Sequence, residues 1–217
     1  MSVAPRPLDI TIISDVICPW CFIGTRRLDQ VLAPMAGDID PRILYRAFLL
    51  DATVPPEGAD LRDRLRKKYG VDPETMFVRI EQAARDTGIP LDFSKVTRTP
   101  NTIPAHTLLR HALARGTQRQ LSDTLFAAYF LEGQDISLPD VLAVLGESHG
   151  FAGDEVRRLV TDAAELAQTR AEAAAAAQTG VGGVPYFVFG NRVGLSGAQP
   201  VHVFRAAIDK ALAERDG

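Results

Sequence analysis

The sequence predicts an α/β fold that is split by a large all-helical insertion. Apolar, strand-like runs lie near both ends of the chain, whereas residues 55–178 carry the caps and glycine stops of helices throughout. A stretch of that length is too long to be a loop in a compact domain. We therefore expect residues 1–54 and 179–217 to form one split α/β domain, with residues 55–178 inserted as a helical subdomain.

The elements of the split domain follow from local patterns. Strands are expected at residues 8–14, 43–49, 186–189 and 192–195, with Gly190-Asn191 as the hairpin turn between the last two. A helix is expected over residues 22–35. A final helix over residues 200–212 places four apolar side chains on one face, namely Val201, Phe204, Ile208 and Ala211.

The insertion shows helix signals in sequence order. Asp72-Pro73 provides an N-cap followed by proline at the first helical position, and Gly88 ends that helix. Apolar residues recur at helical spacing from Ala105 to Leu113. Residues 163–178 are rich in alanine, the residue with the highest helix propensity. These signals predict several packed helices between the second and third strands.

The only two cysteines of the chain form one motif, Cys18-Pro19-Trp20-Cys21, between the first strand and the first helix. A C-x-x-C pair in that context is typical of a thioredoxin-like redox site. A thiol at a helix N-terminus ionises readily, because the free N–H groups and the helix dipole favour an anion. We expect Cys18 to be the exposed nucleophile. Cys21, one turn later, is expected to be more buried and to resolve a mixed disulfide.

A zinc site is the alternative for these cysteines. Closed zinc sites need four ligands, and the only compact histidine pair in the sequence is His106/His111, which has H-x4-H spacing. The two cysteines and these two histidines would be enough ligands for a Cys2His2 site, so this alternative stays open. The strand–helix context nevertheless favours redox chemistry without a metal.

A second signal is the segment of residues 180–188, in which three glycines precede Val184-Pro185 and a β-rich run follows. An X-Pro bond at the entrance of a strand is a candidate cis peptide. A cis bond would leave the Val184 backbone free to pair with an extended substrate beside the cysteines. The alternative is an ordinary glycine-rich turn with a trans proline.

Composition narrows the function classes. A chain of 217 residues can bury a substantial core. The net charge of −3 gives no support for a nucleic-acid partner or a membrane-surface partner. Residues 1–7 lack the apolar region of a signal peptide, and no apolar run is long enough for a membrane span. We expect a cytoplasmic protein.

Four segments carry a specific resemblance: residues 14–24, Asn101-Thr102 with Ala105-His106, residues 180–188 and residues 196–200. With these segments the sequence resembles the DsbA-like thioredoxin superfamily, in its FrnE-like branch, which is related to 2-hydroxychromene-2-carboxylate isomerases and kappa-class glutathione transferases. The resemblance implies a thioredoxin-like fold with a helical insertion. It also implies that Cys18 is the nucleophile, Cys21 the resolving cysteine and Pro185 the cis-proline.

The resemblance departs from the related branches at the cysteines. The isomerase and transferase branches carry serine where Cys18 stands and lack the second cysteine. Trp20 replaces the histidine found in strongly oxidising DsbA-type motifs. Some FrnE-like proteins add a cysteine pair near the C-terminus, which this chain lacks.

Other residues are weaker candidates. Pro19, Trp20 and the Val184 backbone are expected to contact substrate. Asn101 and His106 are expected to border the active-site cleft, although for His106 a bond to a neighbour at the edge of an apolar helix face is the plainer interpretation. A basic cluster around residues 62–68 is a solvated helix face or a site for an anionic partner such as glutathione.

Together these observations predict a thiol–disulfide oxidoreductase. It would act on protein or small-molecule thiols and disulfides, use its own redox-active disulfide in place of a cofactor, and have glutathione as a candidate co-substrate. The alternatives are a glutathione-dependent isomerase or transferase and a non-catalytic zinc or redox-sensing module.

Overall fold

The computed structural model describes residues 4–178 and 180–214. In chain order, its strands are β1 (Arg6–Ser14), β2 (Ile39–Ala47), β3 (Ala59–Asp60), β4 (Arg98–Thr99), β5 (Tyr186–Phe189) and β6 (Val193–Ser196). Its helices are α1 (Pro19–Leu32), α2 (Leu61–Tyr69), α3 (Pro73–Arg85), α4 (Ile103–Ala114), α5 (Gln118–Phe130), α6 (Pro139–Glu147), α7 (Gly153–Leu159), α8 (Ala163–Gln178) and α9 (Val201–Ala213). The predicted α/β fold with a helical insertion is confirmed.

Four strands form a mixed sheet in the order β2-β1-β5-β6. β1 pairs with β2 in parallel and with β5 antiparallel, and β5 pairs antiparallel with β6. Gly190, Asn191 and Arg192 connect β5 to β6, and the Arg192 N–H donates to the Phe189 carbonyl at 3.1 Å. Gly190 and Asn191 both have φ of 59°, a left-handed conformation that glycine and asparagine adopt most readily. The hairpin prediction is therefore confirmed. The insertion also contains a short two-stranded ribbon, β3 with β4.

β2 begins four residues before the predicted strand, and it includes Pro41. Proline is tolerated here because β2 lies at an edge of the sheet. Tyr45 directs its N–H and C=O away from β1, toward the Gln118 side chain. Pro41 lies four residues before Tyr45, so its backbone faces the same outer edge of β2. An N–H at this position would not have bonded to β1, and proline therefore costs no hydrogen bond of the sheet.

One face of the sheet packs on α1 and α9. Leu8, Ile10 and Ile12 alternate along β1 and are almost fully buried there. They meet apolar residues of both helices, which include Leu28, Val31, Phe204 and Ile208. This packing anchors α1 against the sheet, so the N-terminus of α1 has a fixed position at the end of β1.

The beginning of α1 belongs to a second hydrophobic core, which it shares with the insertion. The Phe22 ring stacks on Phe126 at 5.2 Å and on Phe130 at 5.9 Å between centroids. Cys18 and Cys21 are part of the same buried cluster. The insertion therefore packs directly on the turn that carries the cysteines.

Candidate active site

The Cys-Pro-Trp-Cys segment forms the first turn of α1. Cys18 is the N-cap residue with an extended backbone (φ −87°, ψ 112°), and Pro19 is the first helical residue. The Cys18 N–H donates to the Asp15 carbonyl at 2.9 Å, and the Cys18 carbonyl accepts from the Cys21 N–H at 3.0 Å. The cysteines are both free thiols. Cys18 thus lies at the N-terminus of α1, the end of a helix that carries the partial positive charge.

The Val184–Pro185 peptide bond is cis, which confirms that prediction. The Cys18 thiol donates a hydrogen bond to the Val184 carbonyl, with 3.7 Å between sulfur and oxygen. The structure therefore brings together the two segments that the sequence singles out, although 166 positions separate them.

Gly24 is a residue of this site whose role was not predicted. A Cβ atom at Gly24 would lie 3.1 Å from Cγ of Pro185 and 3.1 Å from Cζ of Phe187. Both distances are shorter than ordinary van der Waals contact, so glycine allows α1 to pack closely on the cis-proline strand. Gly24 lies within a segment that carries the family resemblance, but nothing local in the sequence indicates this contact.

The expectation that Cys18 is exposed is wrong. Cys18 is only 3% exposed and Cys21 is 0% exposed. The Val184 carbonyl covers the Cys18 sulfur on one side, and the core shared with the insertion encloses both cysteines on the other. The expected order of burial is nevertheless found, because Cys21 is the more enclosed of the two.

Burial raises the pKa of the Cys21 thiol well above its ordinary value. Hydrogen bonding and charge at Cys18 raise this pKa further. Two groups act in the opposite direction, the Ser14 hydroxyl and the backbone amide of Asp15. Cys21 is therefore a neutral thiol in the reduced protein.

Pro19 and Trp20 are half-buried. Trp20 packs against the hydrophobic cluster that contains the cysteines, and part of its side chain stays at the surface. An aromatic ring in this position offers apolar surface beside the sulfur.

His106 is buried, and its Nε2 lies 3.2 Å from Oδ1 of Asp15, which is also buried. The other carboxylate oxygen of Asp15 accepts a hydrogen bond from the Leu50 N–H at 2.8 Å. His106 also lines a cavity of about 440 Å³ beside the β2 edge, which the cysteines do not line. Its bond to a neighbouring group agrees with the plainer of the two interpretations.

Asn101 joins the start of α4 to the loop that follows β2. Its Nδ2 donates to the Val54 carbonyl at 2.9 Å, and its Oδ1 accepts from the Ile103 N–H at 3.1 Å. Both polar groups of this side chain are thus committed to the backbone. Asn101 thus links the start of α4 to the loop after β2 and stabilises this part of the insertion.

The histidines of the zinc alternative have separate partners. His106 pairs with Asp15, and His111 lies 2.8 Å from a carboxylate oxygen of Glu165. Within residues 4–178 and 180–214, no three His, Cys, Asp or Glu side chains form a group that could hold a metal ion. In the same residues, no helix has both the length and the apolar character of a membrane span.

Comparison with known proteins gives consistent matches over most of the chain. A probable DsbA oxidoreductase of Streptomyces coelicolor, SCO1869, is 30% identical and superposes with a TM-score of 0.86, covering 95% of this chain and 91% of that one. The protein YwbO of Bacillus subtilis (strain 168) is 26% identical over 92% of this chain and 94% of its own length.

Two further solved structures share the fold at lower identity. A 2-hydroxychromene-2-carboxylate isomerase is 17% identical with a TM-score of 0.72, covering 96% of this chain and 98% of that one. The cytosolic disulfide reductase DsbM of Pseudomonas aeruginosa, solved with GSH, is 20% identical with a TM-score of 0.66, covering 94% and 99%.

The model of the DSBA-like thioredoxin domain matches residues 9–209, a range that includes β1, the cysteine turn, the insertion and the cis-proline strand. The chain therefore belongs to the DSBA-like thioredoxin domain family.

Proposed function

We propose that this protein is a thiol–disulfide oxidoreductase that acts through a mixed disulfide at Cys18. The observation that carries the proposal is the position of the Cys18 sulfur. It lies at the N-terminus of α1 and against the backbone of the cis Val184–Pro185 bond. The Cys18 sulfur is the atom that would attack a substrate disulfide, and the neighbouring backbone can hold the chain that carries this disulfide.

In the reducing direction, the Cys18 thiolate attacks one sulfur of a substrate disulfide. A Cys18–substrate disulfide forms, and the other substrate sulfur leaves as a thiolate. Cys21 then attacks Cys18, so that the Cys18–Cys21 disulfide forms and the second substrate sulfur leaves. The substrate gains two electrons and two protons, and the protein loses them. In the oxidising direction the same steps run in reverse.

Pro19, Trp20 and Val184 are the substrate contacts that we propose. In the reduced protein the Val184 carbonyl accepts a hydrogen bond from the Cys18 thiol. Once Cys18 is part of a mixed disulfide it has no proton to donate, so this carbonyl becomes free to accept from a substrate N–H. Pro185, the residue that follows Val184, fixes the position of this carbonyl. For Asn101 and His106 we propose an indirect contribution, through the elements to which they bond.

We also propose the FrnE-like branch of the family, a cytosolic location, and protein or small-molecule thiols and disulfides as substrates. Glutathione is the small-molecule co-substrate that we propose to test, since DsbM, a relative of the same fold, has been solved with GSH. The retention of both cysteines supports this function over the isomerase alternative, because isomerisation would need no second thiol.

The test uses the variants Cys21→Ser and Cys18→Ser. We expect the wild type to reduce insulin or to oxidise a model dithiol. Cys21→Ser should lose turnover and accumulate a covalent adduct at Cys18, because the mixed disulfide cannot be resolved. Cys18→Ser should lose both turnover and adduct, and both variants should stay folded.

Full disulfide turnover by Cys21→Ser would contradict the two-cysteine mechanism. Glutathione-dependent isomerisation of an aromatic substrate by that variant would instead favour the isomerase alternative. Mass spectrometry of the trapped adduct identifies which cysteine carries the substrate.

A further inference from the structure

We propose that the Ser14 hydroxyl is a further member of the redox centre and that it stabilises the Cys21 thiolate during release of the substrate. The inference rests on the proposed dithiol function. Ser14 is the last residue of β1 and is only 3% exposed. Its Oγ has no hydrogen-bond partner of normal geometry among the described residues. A buried hydroxyl without a hydrogen-bond partner costs free energy of folding, which suggests that Ser14 is retained for a function.

The orientation of β1 directs Ser14 toward α1. Alternate residues of a strand point to the same face of the sheet. Ile10 and Ile12 face the core that contains α1, and Ser14 has the same parity. Ser14 therefore points to the side of the sheet on which α1 packs, where it also lines the cavity of about 440 Å³ that His106 and Ser122 line. In agreement, the Ser14 hydroxyl acts on Cys21 and lowers its pKa, as a donor to a thiolate does.

Cys21 needs a donor because it must react as an anion in a buried position. Its side chain is 0% exposed, so water does not solvate the thiolate. Among nearby titratable groups, Cys18 has no proton and no charge once it carries the substrate. The Asp15 carboxylate is committed to Leu50 and His106. Within residues 4–178 and 180–214, the hydrogen bonds that favour the Cys21 thiolate come from the Asp15 backbone N–H and the Ser14 O–H.

The step that this hydroxyl assists is the second displacement. The Cys21 sulfur attacks the Cys18 sulfur, the Cys18–substrate bond breaks, and the Cys18–Cys21 bond forms. The proton of Cys21 ends on the departing substrate sulfur, so no external reductant or acid is consumed. Ser14 donates its hydrogen bond while Cys21 is negative and is unchanged at the end. The unpartnered hydroxyl of the reduced protein thus gains its partner only during reaction.

The experiment follows release of chromophore when the fully reduced protein reacts with excess dithiobis-nitrobenzoate. Attack by Cys18 releases a first thionitrobenzoate, and attack by Cys21 releases a second. The two phases report separately on the two cysteines. Ser14→Ala is compared with the wild type and with Ser122→Ala, a matched control. Ser122 is the other buried serine among the described residues whose Oγ has no hydrogen-bond partner, and it lies on α5.

For Ser14→Ala we expect the pH profile of the second phase to move upward by about one unit, since a hydrogen bond to a charged group is worth about that much. The thiolate fraction then falls about tenfold, and the greater nucleophilicity of a more basic thiolate recovers part of it, leaving the second phase about three- to fourfold slower near neutral pH. The first phase should not change. Ser122→Ala should change neither phase.

A second phase that keeps its rate and pH profile in Ser14→Ala would overturn the inference. So would equal slowing of both phases, or an equal effect of Ser122→Ala, since either result would indicate a general packing effect. Thermal unfolding separates these outcomes further, because loss of an unpartnered hydroxyl should not lower the melting temperature. Failure of the proposed function is distinct, because the wild type would then show both phases with the chromogenic reagent but would neither reduce insulin nor oxidise a model dithiol.

Discussion

Asp15 and His106 form a buried polar link between the cysteine turn and the insertion. Asp15 accepts from the Cys18 N–H through its backbone carbonyl, and its carboxylate contacts both His106 and the Leu50 N–H. One residue therefore holds the N-terminus of α1, the loop after β2 and helix α4. Since these side chains are almost fully buried, loss of either partner would leave the other without its bond.

We expect Asp15→Ala to lower the free energy of unfolding by about 3 kcal/mol, because it leaves His106 and the Leu50 N–H unpaired in the interior. Urea unfolding measures this change. Asp40→Ala is the control, because Asp40 and its partner Arg42 are largely exposed and a surface pair contributes less than about 1 kcal/mol. A small effect of Asp15→Ala, similar to that of the control, would argue against the link.

At the scale of the element, Gln118 completes the outer edge of the sheet. Its Oε1 accepts from the Tyr45 N–H at 2.8 Å, and its Nε2 donates to the Tyr45 carbonyl at 3.2 Å. The side-chain amide thus pairs with β2 as the backbone of another strand would. Nε2 also donates to the Leu109 carbonyl in the middle of α4, so the same residue links α4 and α5 to the sheet.

Gln118→Leu should remove this pairing while keeping similar volume. We expect it to lower the free energy of unfolding by about 2–3 kcal/mol, because the buried backbone groups of Tyr45 lose their partner. Hydrogen exchange at the Tyr45 amide should become faster. Gln120→Leu, at an exposed position of the same helix, should leave exchange at Tyr45 as it is in the wild type.

At the scale of the whole molecule, stability should depend on pH through a carboxylate between α1 and α5. Burial raises the pKa of Asp123 to about 6, and the charge of Asp29 adds to the shift, while Arg119 and Arg26 oppose it. The ordinary value is 3.8. As pH rises from about 4 to about 6, the unfolded chain releases this proton before the folded protein does, so stability falls over that window.

Asp123→Asn should therefore stabilise the protein near neutral pH and have little effect below about pH 4, where the carboxyl is protonated in both states. We expect about 1–2 kcal/mol near neutrality, because the partial exposure of the side chain weakens the effect. Chemical unfolding of both proteins across this range measures the difference. A stabilisation that is equal at every pH would show that the charge is not its cause.

The part of the site that could be predicted consists of local signals. The cysteine turn, its helix and the glycine-rich approach to Pro185 each lie within a few neighbouring residues, and the structure joins them as expected. The Asp15–His106 pair could not be predicted, because 91 positions separate its members and no pattern connects them. The same holds for Tyr45 and Gln118, which are 73 positions apart.

Burial of Cys18 was missed for a related reason. Exposure at a helix N-terminus depends on what packs over it, and here the cover comes from distant segments, the Val184 carbonyl and the insertion core. The strand and helix positions could be predicted because apolar periodicity is local. The domain boundary at residues 54 and 55 stays a prediction, and the shared core makes the insertion and the cysteine turn one packing unit.

The enclosure of Cys18 has a kinetic consequence. We expect a reagent to reach Cys18 only in molecules whose Val184 segment has moved aside, so that its observed rate is the intrinsic rate multiplied by the fraction of such open molecules. Each 1.4 kcal/mol needed for opening slows the reaction about tenfold. A protein substrate that inserts its own strand beside Val184 supplies that free energy through binding, whereas a small alkylating agent does not. The ratio between the reaction rate of Cys18 with a protein substrate and its rate with a small alkylating agent therefore measures how strongly the closed state protects the thiol from unwanted oxidation.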